Sequence, residues 1–209
     1  MGASEIRVLI AHHSQVEPIK TLAGLMAQVQ YFPIPAQQHN QAQLPDEDWY
    51  GSVDLFALVV DARTGISKEM IELWQFFHDR QFPRAMIVQG VEFAESDFDD
   101  IVLIGNRVLE QLATPFLVLH DDLGQPIALI SLEDNLVHDY SGKELNKYSA
   151  DSELVDLIQD FQQEYLELQQ ELGDDGFMQG IFAIAIPIGS NKPFGLAEFN
   201  SYIRTLDKF

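Results

Sequence analysis

The fold of this chain is decided by the stretch Asp54-Leu-Phe-Ala-Leu-Val-Val-Asp-Ala-Arg-Thr-Gly-Ile66. From Leu55 the residues are apolar up to Asp61, without the alternation of a strand that has one face in water. Such a run predicts a strand that is covered on both faces, which is typical of a parallel sheet. Ser67 then predicts the N-cap of a helix. The apolar residues of that helix recur at helical spacing and are Met70, Ile71, Leu73, Trp74 and Phe77.

Further elements are predicted on both sides of this stretch. Apolar runs predict strands at residues 6–11, 84–88 and 182–186. Pro18 suits the first position of a helix, whose apolar residues would be Ile19, Leu22, Leu25, Met26 and Val29. Residues 32–48 are rich in Pro and Gln and predict a loop. Other helices are predicted at 101–112, from Ser152 to Gly173, and through Leu196, Phe199 and Ile203.

The order of these elements predicts the fold class. Strands alternate with helices from residue 6 to 112 and again from 181 onwards, which indicates a mostly parallel, doubly wound α/β sheet. The alternation is broken at 114–180, where residues 116–120 and 127–132 flank a predicted turn and a long helix follows. We therefore predict an α/β domain formed by residues 1–113 and 181–209, with a small α+β subdomain inserted at 114–180.

Composition excludes several classes of function. The chain has 12 Lys and Arg against 33 Asp and Glu, a formal net charge of −21. This charge repels phosphate backbones and argues against direct binding of nucleic acid, whereas it suits either a well-hydrated surface or an acidic face for a basic partner. The absence of cysteine excludes disulfides, thiolate zinc sites and cysteine nucleophiles. Neither a signal peptide nor a membrane-spanning run is present, so we expect a soluble, cytoplasmic protein without membrane contact.

Several motifs resemble those of one family. Val59-Val60-Asp61-Ala62 stands before a predicted turn and helix, Ala11-His12 stands where the first predicted strand passes into its loop, and Gly189-Ser190 lies in the last loop. In this arrangement the chain resembles the nucleotide-binding domain of the translational GTPases, elongation factor G in particular, including the subdomain that elongation factor G carries inside that domain. The resemblance implies a sheet of the phosphate-loop GTPase type.

The phosphate loop of that family is altered here. The family reads Ala-His-Val-Asp-Ala-Gly-Lys-Thr, whereas this chain reads Ala11-His12-His13-Ser14-Gln15-Val16-Glu17-Pro18. Val16 stands at the Gly, Glu17 at the Lys and Pro18 at the Ser or Thr that holds magnesium. Exchanging Lys for Glu weakens phosphate binding by about 4 kcal/mol once solvent and salt are allowed for. An alternative alignment with a two-residue insertion places Lys20-Thr21 at the Lys and Thr, but it then puts Ile19 at the Gly.

The base-binding and catalytic motifs are altered as well. Gln89, Gly90 and Glu92 stand where the family's Asn-Lys-x-Asp reads guanine, and Gly189-Ser190-Asn191 lies in the last loop that contacts the base. The Asp-Thr-Pro-Gly-His motif, which contacts magnesium and positions the attacking water, is missing before Leu55. We therefore predict no catalytic residue, no metal ligand and no cofactor, and we do not expect GTP or GDP with magnesium to bind.

These observations favour one function and leave two others open. The leading hypothesis is a pseudo-GTPase, a non-catalytic relative of the elongation factor GTPase domains that acts as a protein-binding or regulatory module. The resemblance implies a protein partner, with translation components as candidates. The alternative is a weak nucleotide or nucleoside binder that uses the backbone donors of residues 12–17 together with Gln89, Glu92 and Ser190. The third hypothesis is an unrelated enzyme that uses Glu17 and Glu92 as paired carboxylates. A metal site at the histidines, such as His120 or His138 with neighbouring aspartates, is disfavoured because helical His-x-x-x-His spacing is missing.

Overall fold

The computed structural model describes residues 6–16, 18, 20–35, 50–93, 96–173, 175–189 and 193–206. Within these residues the chain forms strands, α-helices and one short 3₁₀ helix at Lys20–Gly24. The strands are β1 (Arg7–His13), β2 (Gln28–Ile34), β3 (Leu55–Asp61), β4 (Arg84–Gln89), β5 (Leu112–Ala113), β6 (Phe116–His120), β7 (Pro126–Ser131), β8 (Leu136–Asp139), β9 (Asn146–Ser149) and β10 (Ala183–Ile188). The helices are α1 (Lys68–His78), α2 (Phe98–Val108), α3 (Ser152–Leu172) and α4 (Leu196–Thr205).

Six of these strands form a parallel sheet in the order β2-β1-β3-β4-β10-β5. Every pair of neighbours in it is parallel. The order reverses between β1 and β3, because the chain leaves β1 towards β2 on one side and leaves β3 towards β4 on the other. This reversal is the topological switch point of a doubly wound sheet.

The hydrophobic core lies on both faces of this sheet. Phe56, Leu58 and Val60 of β3 pack in one cluster with residues of α1 and α2, whereas Leu55 and Val59 pack in a second cluster with residues of α3 and α4. All seven residues of β3 are buried. The α/β class with a parallel, two-sided sheet is therefore confirmed, and the reason is local, since a strand that buries both faces must be apolar at every position.

The prediction of a helix that begins at Pro18 is wrong. The structure has only the 3₁₀ helix there, followed by β2, which pairs in parallel with β1 from Arg7↔Gln28 to His13↔Ile34. Phe32 and Ile34, predicted to lie in a loop, belong to β2, and residues 36–49 lie outside the described part of the chain. The 3₁₀ helix ends at Gly24, whose backbone packs so closely on α4 that a Cβ would lie 2.7 Å from Leu196.

Two other boundaries differ from their predictions. The helix predicted at 101–112 begins earlier, at Phe98, where the side chain of Asp97 accepts from the backbone N–H of Asp99. It ends at Val108, and Leu112 enters β5 instead. The last strand begins at Ala183 and continues to Ile188, because the residues predicted as loop after 186 are still buried within the sheet.

Residues 114–180 contain an antiparallel sheet, β6-β7-β8-β9, and α3. The predicted hairpin is confirmed: β6 and β7 are antiparallel, and the turn closes where Asp121 N–H donates to the Gln125 carbonyl at 2.9 Å. α3 begins and ends as predicted, with Asp151 as the N-cap and Gly173 after its last turn. β8 and β9 were not predicted, since β9 is exposed along its whole length and carries no apolar pattern. Whether 114–180 folds as a separate subdomain stays a prediction.

The described residues contain no helix that is both long enough and apolar enough to cross a membrane.

Candidate functional site

The first candidate site lies at the switch point between β1 and β3. In doubly wound sheets, ligands bind in the crevice outside the carboxyl ends of the strands at this point. The turn after β1, residues 13–16, and the turn after β3, residues 61–65, meet this edge, and Gln89 ends β4 beside them. The sheet therefore brings the described phosphate-loop and base-binding positions to one edge.

The turn after β1 uses its backbone donors internally. Ser14 N–H donates to the Ile34 carbonyl at 2.7 Å, and Val16 N–H donates to the His13 carbonyl at 2.9 Å. Gln15 N–H donates to His13 Nδ1 at 3.3 Å. A phosphate loop instead directs successive N–H groups at the phosphate oxygens. The described part of this turn therefore has its N–H groups directed at protein acceptors.

The other described positions of this loop are also buried, half-buried or bonded within the protein. Ala11 is fully buried in β1, and Pro18 is half-buried. His12 Nδ1 donates to the Val16 carbonyl at 2.9 Å, which ties the two ends of the turn together. Glu17 lies outside the described residues. The paired-carboxylate hypothesis, which needs Glu17, is therefore not addressed by the described structure.

A buried aspartate organises the end of β3. Asp61 is 1% exposed. Its Oδ1 accepts from Arg63 Nε at 2.8 Å and from Arg63 N–H at 3.0 Å, and its Oδ2 accepts from Arg63 Nη2 at 2.7 Å and from Gln89 Nε2 at 3.3 Å. Burial acts to raise the pKa of Asp61, but the hydrogen bonds and charge of Arg63 and the amide of Gln89 outweigh it, so the pKa is lowered. Asp61 is therefore an ionised structural residue.

The predicted base-binding positions belong to this same network. Gln89 is 3% exposed and its amide is bonded to Asp61. Gly90 has φ +80, and a Cβ there would lie 3.3 Å from Asp61 Oδ1. Arg63 lies 4.2 Å above the ring of Phe93, and the charge of Glu92 acts on it. Sequence reasoning missed Arg63, because a partly exposed arginine in a turn carries no pattern that signals its partner.

The last loop is held by backbone contacts at its start. Gly189 N–H donates to the Phe194 carbonyl at 3.0 Å, and the Gly189 carbonyl accepts from the Thr21 hydroxyl at 2.8 Å. The retained glycine thus joins the last loop to the 3₁₀ helix, in agreement with a structural role. Ser190 and Asn191 lie outside the described residues.

The metal hypothesis finds no support in the described ranges. They contain no group of three or more His, Asp or Glu side chains placed to hold a metal ion. His138 is bonded within the protein, with its Nδ1 2.5 Å from Glu198 Oε1. Tyr140 O–H donates to Glu198 Oε2 at 2.6 Å. Burial, followed by the neighbouring Glu198 charge, raises the pKa of Tyr140, so the phenol is neutral.

An exposed apolar surface lies elsewhere, along the groove between α2 and α3. Leu103 is 55% exposed and Phe161 is 56% exposed. Asp99 and Glu164 line the same groove as Leu103 and Phe161. α3 carries six acidic residues and no Lys or Arg, namely Glu153, Asp156, Asp160, Glu164, Glu167 and Glu171. Burial, then the neighbouring Asp97 charge, raises the pKa of Asp99.

Comparison with known proteins identifies the class of fold and no family. No family model matches the chain, and no curated protein matches it either. Solved structures do match, 88 chains in number. One of them is the crystal structure of ttk003000868 from Thermus thermophilus, with a TM-score of 0.67 and 14% identity. The match covers 99% of this chain and 40% of that protein, so this chain spans less than half of its length. At that identity the likeness shows the fold alone.

Proposed function

We propose that this chain is a pseudo-GTPase: a non-catalytic relative of the translational GTPase domains that acts as a protein-binding or regulatory module. The observation that carries the proposal is the closed turn after β1. Ser14, Gln15 and Val16 direct their N–H groups at protein acceptors. A bound phosphate would have to break these bonds before it gained any of its own.

Two further features support the loss of nucleotide chemistry. A specific guanine contact would need the Gln89 amide, which is buried and bonded to Asp61. A phosphate chain would also approach a protein with a net charge of −21, so long-range electrostatics oppose its binding. The parallel sheet, with these positions at one edge, is compatible with a phosphate-loop GTPase framework that has lost its ligand.

The groove between α2 and α3 supports the protein-binding part of the proposal. Exposed Leu103 of α2 and exposed Phe161 of α3 line this groove together with the acidic Asp99 and Glu164. Contiguous exposed apolar residues mark interaction sites, and helices with an apolar face occupy such grooves. The acidic rim selects a partner segment with basic residues around its apolar ones. Translation components, which the sequence resemblance suggests, are the candidates for this partner.

The loss of nucleotide binding is tested by calorimetry and by thermal shift with GTP, GDP, guanosine and ATP, each with and without magnesium. We expect no saturable heat and no increase of the melting temperature at about 1 mM ligand, because a ligand stabilises only the state that binds it. A saturable, guanine-specific shift would contradict the proposal and favour the weak nucleotide binder instead.

The protein-binding part of the proposal is tested with a labelled helical peptide of about 18 Lys and Leu residues. A peptide of the same pattern made of Glu and Leu serves for comparison. We expect the basic peptide to bind and the acidic peptide not to bind. Phe161→Ala should weaken binding of the basic peptide by about tenfold, which is a usual effect of truncating an aromatic residue at an interface. Leu166→Ala, on the same helix and 41% exposed but outside the groove, is the matched control.

Three results would count against this surface. Equal binding of both peptides would remove the role of charge, and equal loss in both variants would remove the role of the groove. Concentration-dependent self-association that Phe161→Ala abolishes would identify a second copy as the occupant. None of these results bears on nucleotide binding, so the nucleotide part and the protein-binding part of the proposal can be refuted independently.

A further inference from the structure

A cavity of about 370 Å³ lies at the end of the molecule where β10 begins, opposite the turns after β1 and β3. Its walls come from the second half of α3, the second half of α4, and the start of β6. None of the described phosphate-loop or base-binding positions lines it. Residues that line it include Phe116, Glu133, Tyr165, Phe177, Ser201 and Tyr202.

Aromatic side chains form much of the wall. Phe177 packs edge to face on Tyr202 with ring centroids 5.6 Å apart, and it also contacts Phe182 at 6.2 Å. Phe116 and Tyr165 are buried on the other walls. Aromatic walls of this kind bind flat apolar rings through stacked and edge contacts. The volume lies near the lower end of the range for small-molecule pockets, which suits one fused ring system.

Two phenols supply a hydrogen-bond donor at this wall. The hydroxyls of Tyr165 and Tyr202 are 3.3 Å apart, and Gln169 Nε2 donates to the Tyr165 oxygen at 3.0 Å. One of the two phenolic hydrogens forms the bond between the tyrosines. The other has no acceptor among the described contacts. Burial raises the pKa of both tyrosines, most strongly that of Tyr202, so both hydroxyls keep their protons.

The charge of the wall decides which ligands are excluded. Among the described residues that line the cavity, Glu133 is the charged one. Glu133 lines the same cavity as the two phenols, and its charge contributes to the raised pKa of both. An anionic ligand would meet this carboxylate and the net charge of the chain, whereas a cationic substituent would be attracted.

We propose that this cavity is a binding site for a small, flat heteroaromatic molecule that has a ring acceptor atom and is neutral or singly cationic. The aromatic walls hold the ring, the phenolic donor bonds its acceptor atom, and Glu133 selects against negative charge. The site is separate from the proposed pseudo-GTPase function, because it lies at the opposite end of the parallel sheet.

The test uses the whole chain and four related probes in titrations followed by NMR. Benzimidazole has the ring acceptor, and indole has the same shape without it. We expect benzimidazole to bind about three- to tenfold more tightly than indole, as one hydrogen bond would give. An aminomethyl derivative of benzimidazole should bind about two- to fivefold more tightly again, and a carboxylate derivative more weakly, as for a partly exposed ion pair.

Variants assign these differences to residues. Tyr165→Phe with Tyr202→Phe removes both hydroxyls, so both partners of the bond between the tyrosines become apolar together, and Gln169 Nε2 loses its acceptor. The double variant should remove the preference for benzimidazole over indole, and Glu133→Gln should remove the preference for the aminomethyl derivative. Ser201→Trp, which fills the exposed side of the cavity, should weaken every probe at least about tenfold. Tyr148→Phe is the matched control, because Tyr148 is exposed on β9.

The proposal is overturned if none of the probes binds saturably at about 10 mM, an affinity weaker than small pockets give to fragments of this size. It is also overturned if indole or the carboxylate derivative binds as tightly as benzimidazole. Binding that survives Ser201→Trp unchanged would place the probes elsewhere on the protein and overturn the assignment of this cavity.

Discussion

The guanidinium of Arg63 binds both carboxylate oxygens of Asp61, with Nε 2.8 Å from Oδ1 and Nη2 2.7 Å from Oδ2. The pair lies where β3 ends, and Gln89 at the end of β4 completes it. This edge of a doubly wound sheet ordinarily receives a ligand. Here three residues of the protein, Asp61, Arg63 and Gln89, bond to one another at this edge.

The first prediction concerns Asp61. Asp61→Asn removes the charge that holds Arg63 and should lower the free energy of unfolding by about 1–3 kcal/mol, because hydrogen bonds to charged groups are the stronger ones. Urea denaturation at neutral pH measures the change. Asp54→Asn is the control, since Asp54 pairs with Arg7 at 3.8 Å with both side chains substantially exposed. That pair should contribute at most about 1 kcal/mol.

The same pair predicts a dependence on pH. The pKa of folded Asp61 lies below its ordinary value of 3.8, so the pair stabilises the fold fully above that value. The contribution is lost as the pH falls through the lower folded pKa. The stability difference between the wild type and Asp61→Asn should therefore be constant above about pH 5 and shrink below about pH 4. A difference that stays constant at low pH would show that the pKa of Asp61 is not lowered.

The second prediction concerns a buried ion pair at the other end of β4. Arg84 is fully buried, and it donates to Glu110 through Nε at 2.8 Å and through Nη2 at 3.0 Å. Glu110→Ala leaves this guanidinium buried without its counter-charge and should lower the free energy of unfolding by about 3–5 kcal/mol. Trp74 Nε1 also loses its acceptor, Glu110 Oε1. Denaturant titration of the variant and the wild type measures the change.

The control for this pair is Lys68→Ala. Lys68 pairs with Glu72 one turn along α1, and its side chain is 83% exposed. An exposed pair of this kind contributes about 0.3–0.5 kcal/mol. Equal effects of Lys68→Ala and Glu110→Ala would show that the guanidinium of Arg84 is solvated rather than buried.

The third prediction concerns the bond between the antiparallel sheet and α4. Glu198 is 2% exposed and accepts from Tyr140 at the end of β8. Tyr140→Phe removes a donor from this buried carboxylate and should lower the free energy of unfolding by about 1.5–3 kcal/mol. Tyr148→Phe on exposed β9 should change it by less than about 0.5 kcal/mol. If the two variants behave alike, the carboxylate of Glu198 is satisfied by other groups.

The sequence predicts the framework of this fold because its signals are local. β3 is apolar at every position, and α1 follows from a capping serine and helical spacing, so both are predicted without knowledge of their partners. β2 is missed because Val29 fits the helical period of the residues before it and the residues from Phe32 on are rich in Pro and Gln, so only the pairing with β1 reveals the strand.

The buried polar contacts between distant elements, including those of the candidate site, are missed for a different reason. His138 and Glu198 are 60 residues apart in the sequence, and Arg84 and Glu110 are 26 apart. No local period connects such residues, because each pair meets only after the sheets and helices have packed. The positions of Gln89 and Gly90 at the sheet edge are predictable, whereas the bond from Gln89 to Asp61 is not.

The last prediction concerns Gly180, in the segment between α3 and β10. Its φ is +64, and a Cβ there would overlap the backbone of Gln81, so Gly180→Ala combines backbone strain with a clash that no side-chain rotation relieves. Gly124 in the hairpin turn has φ +76 and open space around it, so Gly124→Ala introduces strain alone and should cost about 1–2 kcal/mol. Because the Gly180 carbonyl also accepts from the buried Arg84, we expect Gly180→Ala to cost at least about 2 kcal/mol more than Gly124→Ala in denaturant titration. Equal costs would mean that the chain around Gln81 moves aside freely, and would contradict the close packing of these two segments.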